Sequence, residues 1–297
     1  MLTHLLSAPV PLARVVVIGA GGFIGGAVAR RLAVDGVPVL ALTRAEVDLL
    51  AGDGSARLVA LLKPGDAVVA ASAIAPCKTV AILADNLRLV NTMVAALAKV
   101  AVGHVINIGS DAVFADEPVP LTEASPRSPD SLHGVMHLAR ELAFAAEVGA
   151  PQATIRPTLV YGACDPHNGY GPNRFRRLAN AGRAIALFGE GEERRDHVLV
   201  DDVAELVVRA LYRRSTGSLN AASGEVYSFR AMAELTVQAA GRPVAITGGQ
   251  RSGPMPHNGY RPFEIQAIRT AFPDFIPTPF AAGVVKVQQQ VASGESV

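Results

Sequence analysis

Val15-Val16-Val17-Ile18-Gly19-Ala20-Gly21-Gly22-Phe23-Ile24-Gly25 decides the fold of this chain. Arg14 to Ile18 reads as a buried parallel strand that feeds directly into a glycine loop. Gly26 to Ala33 has apolar residues at helical spacing, Asp35-Gly36 supplies a stop, and Val37 to Leu42 reads as the next strand. In such a strand, glycine loop, helix, strand unit, Gly19 permits the tight turn. Gly22 lets backbone approach a pyrophosphate and Gly25 lets helix and strand pack closely. The phosphates then sit on the helix N-terminus, so the spacing points to a dinucleotide site formed by Gly19, Gly22, Phe23, Ile24 and Gly25.

The same alternation continues outward. Strands are expected at Asp66 to Ala71, His104 to Ile108 and Gln152 to Ile155, and helices at Leu83 to Ala101 and His133 to Val148, which predicts an α/β fold with a doubly wound parallel sheet. From Ala163 the composition shifts to Pro, Gly, Asn and Arg. Residues 12–162 are therefore expected to form mainly a Rossmann-type dinucleotide-binding domain, and 163–290 mainly a smaller C-terminal substrate-binding cap with segments returning to the first domain. Met1 to Pro11 reads as a short disordered lead without the basic start of a signal peptide, and the tail after Gln290 as frayed.

Composition narrows the function. Half of the 297 residues are hydrophobic, yet no uninterrupted apolar run reaches the about 18 residues that span a bilayer, so a membrane partner is not expected. A net charge of +1 and 5% aromatics leave no basic stripe or stacking platform for nucleic acid. Cys77 and Cys164 lie far apart without metal-ligand spacing, so neither a disulfide framework nor a metal centre is expected, and the cytoplasm is the default compartment.

These motifs, taken in order, resemble the extended short-chain dehydrogenase/reductase family, the branch of NAD-dependent nucleotide-sugar epimerases, dehydratases and reductases. Gly19 to Gly25 matches its GxxGxxG, Asp66 to Ala73 its fourth strand, and Val105 to Phe114 its fifth-strand motif. Arg156-Pro157-Thr158-Leu159-Val160-Tyr161-Gly162 is similar to its Arg-Pro-x-Asn-Val-Tyr-Gly segment, with Leu159 in place of asparagine. Arg194 to Val203 is similar to its Arg-Asp-x-Val-x-Val-x-Asp stretch. The resemblance implies that Ala71, Ser72, Ala73, Asn86, Pro157 and Val160 line the cofactor, that Ser110 holds the reacting oxygen, and that Asp111, Arg174 and Arg195 face the substrate, Arg195 against a diphosphate. It also implies a homodimer through the helices at Leu83 to Ala101 and His133 to Val148.

The family's Tyr-x-x-x-Lys is replaced by His133-x-x-x-His137. An imidazole with an ordinary pKa near 6.5 titrates at neutral pH, so His133 is expected to act as acid or base without lysine's help, with His137 on the ribose. At the end of the second strand stand Thr43 and Arg44 without a carboxylate, which favours NADP(H) over NAD(H), and the resemblance implies that Asp48 approaches the adenine. The expected function is hydride transfer on a nucleotide-activated sugar as a 4-reductase or epimerase. A dehydratase is disfavoured because Ser110 is followed by Asp111-Ala112 rather than Asp-Glu. The alternative is a non-catalytic dinucleotide-binding protein that senses redox state or supports a partner. Asp201 and Asp202 are expected to cap a helix at Val203 to Leu211. His4, His104, His167 and His257 are expected on the surface or in loops, and Gly248 to Pro262 at the rim of the cap.

Overall fold

A computed structural model describes residues 1–294. The main sheet contains β1 (Thr3–His4), β2 (Val15–Ile18), β3 (Val39–Leu42), β4 (Ala67–Ala70), β5 (His104–Ile108), β6 (Gln152–Pro157) and, from late in the chain, β10 (Ser215–Ala221). Their order is β3-β2-β4-β5-β6-β10-β1, parallel throughout except for β1 against β10. Helices α1 (Phe23–Val34) and α6 (Val200–Tyr212) pack together on one face; α2 (Gly54–Leu61), α3 (Val80–Leu97) and α4 (Leu132–Glu147) cover the other. The two-residue period of β2 divides its side chains accordingly. Val15 and Val17 join Val28, Leu32 and Leu206 in one core, while Val16 and Ile18 join Leu58, Met93 and Phe144 in the other. Burial on both faces explains why these strands are continuous apolar runs.

The chain leaves β2 for β3 on one side and later places β4 on the other. This reversal opens a crevice at the carboxyl ends of β2 and β4, the place where doubly wound sheets bind ligands. A third core belongs to the cap, where β7 (Leu159–Tyr161), β9 (Arg194–Leu199), β11 (Val226–Ser228) and β13 (Tyr260–Arg261) form a sheet and β8 (Ile185–Ala186) pairs with β12 (Ile246–Thr247). Helices α5 (Pro172–Asn180), α7 (Phe229–Ala240) and α9 (Phe280–Ala292) pack there through Phe175, Phe229, Met232, Phe280 and Val284. The short α8 (Gln266–Ala271) lies against β10. Thus α6 and β10, both downstream of residue 163, belong to the main sheet layer.

Several expectations change. Thr3–His4 is a strand because it pairs with Thr216 and Ser215, and His4 bridges Ser215 Oγ at 2.8 Å and the Ala271 carbonyl at 2.9 Å; the lead is anchored. His104 is a buried strand residue whose Nε2 meets the Ser215 carbonyl at 2.7 Å. Asp201 and Asp202 stand inside the first turn of α6 instead of capping it, and Asp202 accepts the Thr278 N–H and hydroxyl at 2.6 and 2.8 Å. Helix α9 runs past Gln290 to Ala292, and residues 295–297 lie outside the described ones. Helix α3 begins before Leu83 because Thr79 Oγ1 accepts the Ile82 N–H at 3.2 Å and caps it. At 18 residues and a mean hydropathy of 1.4, α3 is long and apolar enough to cross a membrane. It carries Asp85 and Arg88, however, and buries Leu89, Val90, Met93, Val94 and Leu97 in the second core.

Candidate active site

Backbone contact shapes the crevice. Gly19 has φ +91°, and a Cβ there would stand 2.7 Å from Ser72 N; a Cβ on Gly25 would run into the Gly19 carbonyl. Both positions therefore require glycine. Gly22 caps α1 without any side chain, so Phe23 and Ile24 open the helix with its positive end uncovered. A pyrophosphate fits this cradle, and the residues that would hold it are the loop Gly19 to Gly25 and the facing Ala71, Ser72 and Ala73 beyond β4. Asn86 is buried behind that segment, its amide accepting the Ile74 N–H and donating to the Ile74 and Ile82 carbonyls, all at 2.9 Å. It positions the loop with nearly all of its bonding capacity used. Pro157 ends β6, and Val160 lies half-buried in β7.

At the end of β3 the sequence reading needs correction. A carboxylate does stand there: Glu46 folds back and accepts the Thr43 N–H at 2.8 Å and the Thr43 hydroxyl at 2.6 Å. These bonds hold its pKa below the ordinary carboxylate value. Arg44 is exposed and 3.5 Å from Asp48.

Across the crevice, Ser110 follows β5 by two residues and opens the 3-10 turn Asp111–Val113. Its Oγ accepts the Ala112 N–H at 3.1 Å and donates to Asp111 Oδ1 at 3.4 Å. Helix α4 starts against this turn: Ser131 Oγ accepts the Gly134 N–H at 3.2 Å, and a Cβ on Gly134 would overlap the Ala112 carbonyl. That close approach sets His133, in the first turn of α4, near Asp111, whose charge acts on the ring. His133 and His137 meet edge to face with ring centroids 4.8 Å apart. His133 Nδ1 lies 3.4 Å from the Cys77 N–H; accepting that bond leaves the neutral ring's proton on Nε2. His137 is buried and its Nδ1 has no partner among the described residues.

Burial pushes the His133 pKa down, against the opposing charge of Asp111, and drives His137 well below its ordinary value with further help from His133 and Arg140. The expected titration of His133 near neutral pH is thereby displaced, and both rings are mostly neutral at pH 7. No group of three or more His, Cys, Asp or Glu that could hold a metal occurs among the described residues.

The NAD dependent epimerase/dehydratase family matches residues 15–222 of this chain. A putative GDP-L-fucose synthase 2 from Oryza sativa subsp. japonica is 31% identical over 252 residues, 75% of this chain and 71% of the relative. The chain belongs to the NAD dependent epimerase/dehydratase family. The dTDP-4-dehydro-6-deoxy-D-allose reductase of Streptomyces bikiniensis is 26% identical over 275 residues, covering 78% of this chain and 82% of that one. Among solved structures, the UDP-glucose 4-epimerase of Thermus thermophilus, in complex with NAD, has a TM-score of 0.81 at 22% identity, covering 95% of this chain and 99% of its own. The GDP-L-fucose synthetase of Naegleria fowleri, bound to NADP, reaches 0.83 at 17%, covering 97% and 96%. These two share the fold. The matches make the chain an NAD(P)-dependent, epimerase/reductase-like enzyme, and an NAD(P) dinucleotide fits the glycine cradle described above.

On the cap side of this family member, two of the three candidate substrate residues, Arg195 and Asp111, are already engaged. Arg195, buried in β9, pairs with Glu193 at 2.6 Å, and Arg174 is exposed on α5. Asp111 is held by Arg261, a buried residue of β13 that sequence reasoning missed. Its guanidinium reaches Asp111 Oδ2 at 3.3 Å, the Asp111 carbonyl at 2.9 Å and Asp116 at 2.6 Å. His257, in the 3-10 turn Pro256–Gly259, contacts Asp116 and lies 3.0 Å from Arg261. Some 150 residues separate Asp111 from Arg261, so only its place in the Gly248 to Pro262 rim hinted at a role. Arg140 was also missed. It sits one turn beyond His137, completely buried beneath the ends of β4 and β5.

Proposed function

We propose that this enzyme is a 4-ketoreductase of a nucleotide-activated sugar, with Ser110 and His133 as the groups that meet the substrate oxygen. What supports this reading is a serine hydroxyl just past β5 and an imidazole in the first turn of α4, where the approach of Gly134 to the Ala112 carbonyl brings the helix against the 3-10 turn that Ser110 opens. The reduced nicotinamide nucleotide, when bound, supplies the hydride. Ser110 Oγ–H and His133 Nε2–H donate to the carbonyl oxygen and stabilise the negative charge that gathers on it. The proton that completes the new hydroxyl comes from water, while the neutral ring keeps its Nε2–H and donates it as a hydrogen bond. His137 packs behind His133 and fixes its orientation beside the ribose end of the crevice. Two relatives with reductase or synthase names support the reductive direction over epimerisation. The test is a panel of nucleoside-diphosphate 4-keto-sugars with NADPH and NADH, read by loss of reduced-cofactor absorbance. Oxidation dependent on one sugar nucleotide is expected; interconversion of epimers without net cofactor oxidation would favour an epimerase.

We infer NADP(H) as the working cofactor, with Arg44 pairing the ribose phosphate and Glu46 limiting the preference. Glu46→Gln removes the opposing charge while its amide can still accept from Thr43. It is expected to raise the NADP-to-NAD affinity ratio on the order of tenfold, read by calorimetry. An unchanged ratio would remove Glu46 from cofactor choice.

The homodimer reading is supported by two exposed apolar stripes. Val80 and Leu87 on α3, and Val135 and Leu142 on α4, are each seven residues apart and 40–72% exposed. Light scattering is expected to give twice 30.8 kDa, and the pair Leu87→Glu with Leu142→Glu to give the monomer mass. A monomer for the native chain would refute this interface.

A further inference from the structure

We propose that Arg140 is a positioning residue of the dinucleotide site: its guanidinium ties the Ser72 segment and the ends of β4 and β5 to the helix that carries His133 and His137, and so fixes the wall of the crevice at its nicotinamide end. This rests on the reading of Ser72 as a cofactor-lining residue and is independent of the ketoreductase reading.

Arg140 lies on α4, three residues after His137, and is buried. Its guanidinium donates from Nε to Asn107 Oδ1 at 2.5 Å, from Nη1 to the Ser72 carbonyl at 2.6 Å and from Nη2 to the Ala70 carbonyl at 2.6 Å. One planar group thus joins three places: the last residue of β4, the segment just beyond it, and β5 three residues before Ser110. Asn107 passes the contact on, its Nδ2 lying 3.4 Å from Thr154 Oγ1 in β6.

The opening of the crevice creates the need for such a donor. Strand β4 lies between β2 and β5. Past Ala70 the chain keeps its bond on the β2 side, where the Ala71 N–H donates to the Ile18 carbonyl at 2.9 Å, but it has left the β5 ladder, whose last pair is Ala70 with Asn107. No backbone N–H reaches the Ser72 carbonyl among the described residues. A part-buried carbonyl without a donor costs free energy, and the Arg140 fork supplies one. Other buried arginines near the crevice rest on carboxylates, Arg156 on Glu141, Arg195 on Glu193, Arg261 on Asp111 and Asp116. Arg140 forms no ion pair among the described residues, and its three acceptors are neutral. Burying a cation on those terms is unfavourable, so charge pairing does not account for it; what it provides is fixed geometry.

That geometry bears on the cofactor. Ser72 N and Oγ would each stand 2.7 Å from a Cβ on Gly19, so the clamped segment is the wall that faces the glycine turn. Farther along, Asn86 holds Ile74. The strand order sets the adenosine half of a dinucleotide over β2 and β3, where Arg44 stands, and the nicotinamide half over β4 and β5, toward Ser110 and His133. Arg140 therefore acts on the second half, through Ser72 and without touching the ligand.

The test is calorimetry of the full chain with NADPH and with 2′,5′-ADP, which carries the adenosine half alone. Arg140→Met leaves the Ser72 and Ala70 carbonyls and Asn107 without their donor. It is expected to weaken NADPH binding on the order of tenfold while 2′,5′-ADP stays within about twofold of native. Arg140→Lys, which keeps the charge but not the fork, is expected to show a smaller loss of the same kind. A merely structural role would lower the melting temperature without separating the two ligands. Native NADPH affinity in a folded Arg140→Met protein, or equal losses for both ligands, would overturn the proposal. Should the methionine variant fail to fold, the same comparison on Arg140→Lys decides by the same outcomes. A native chain that binds no NADPH would overturn the cofactor reading and the proposal with it, whereas absent sugar turnover leaves the comparison standing.

Discussion

His133→Phe is expected to lower kcat/KM on the order of 10²- to 10³-fold, about 3–4 kcal/mol of transition-state stabilisation, while dinucleotide affinity stays within about threefold. Phenylalanine keeps the ring's bulk against His137 but has no N–H for the substrate oxygen. The Ser110 hydroxyl remains and preserves part of the polarisation, so the loss is large without being total. Because burial lowers the His133 pKa, any loss of kcat that follows the imidazolium is expected to have its midpoint below the ordinary imidazole value near 6.5; an imidazolium acid of ordinary pKa would lose activity through neutral pH. Stopped-flow measurement of cofactor oxidation at saturating sugar nucleotide reads both. A rate unchanged in the phenylalanine variant would remove His133 from the chemistry.

The second large effect is expected at Gly25. An added methyl in Gly25→Ala would overlap the Gly19 carbonyl oxygen, with Gly19 C at 2.8 Å and Ala20 Cα at 3.3 Å, all rigid backbone of the turn that receives the pyrophosphate. Helix α1 must then move off the loop. Overpacking of this kind costs about 1–3 kcal/mol, and since the strained atoms belong to the binding turn, dinucleotide affinity is expected to fall on the order of 100-fold. Calorimetry with NADPH and a thermal melt read the two parts of the effect. Native affinity in a folded Gly25→Ala protein would show that the turn does not hold the cofactor.

What could be read from sequence was what is local. The glycine loop, the parallel strands and the His133-x-x-x-His137 spacing each lie within one element or one turn, and burial on both faces gave the strands continuous apolar runs. Arg140 escaped because an arginine on an amphipathic helix ordinarily reads as a solvated charge. Only the ends of β4 and β5, some 70 and 33 residues away, make its position buried. Arg261 depends on a pairing across 150 residues. Met1 to Pro11 looked like a loose lead because the partner strand of Thr3–His4 lies more than 200 residues downstream. Glu46 was within reach, three residues from Thr43, but its turn back onto the strand end is a matter of loop geometry. The lowered pKa of His133 likewise follows from burial, which residue type does not reveal.

An imidazole in place of a phenol is expected to support hydride transfer to a nucleotide-activated sugar. Its most direct test incubates the full chain with a reduced dinucleotide carrying deuterium at the transferable position and a nucleoside-diphosphate 4-keto-sugar, then weighs the sugar nucleotide by mass spectrometry. The product is expected to contain one deuterium from the cofactor. Tight dinucleotide binding with no deuterium in any member of a sugar-nucleotide panel would contradict it.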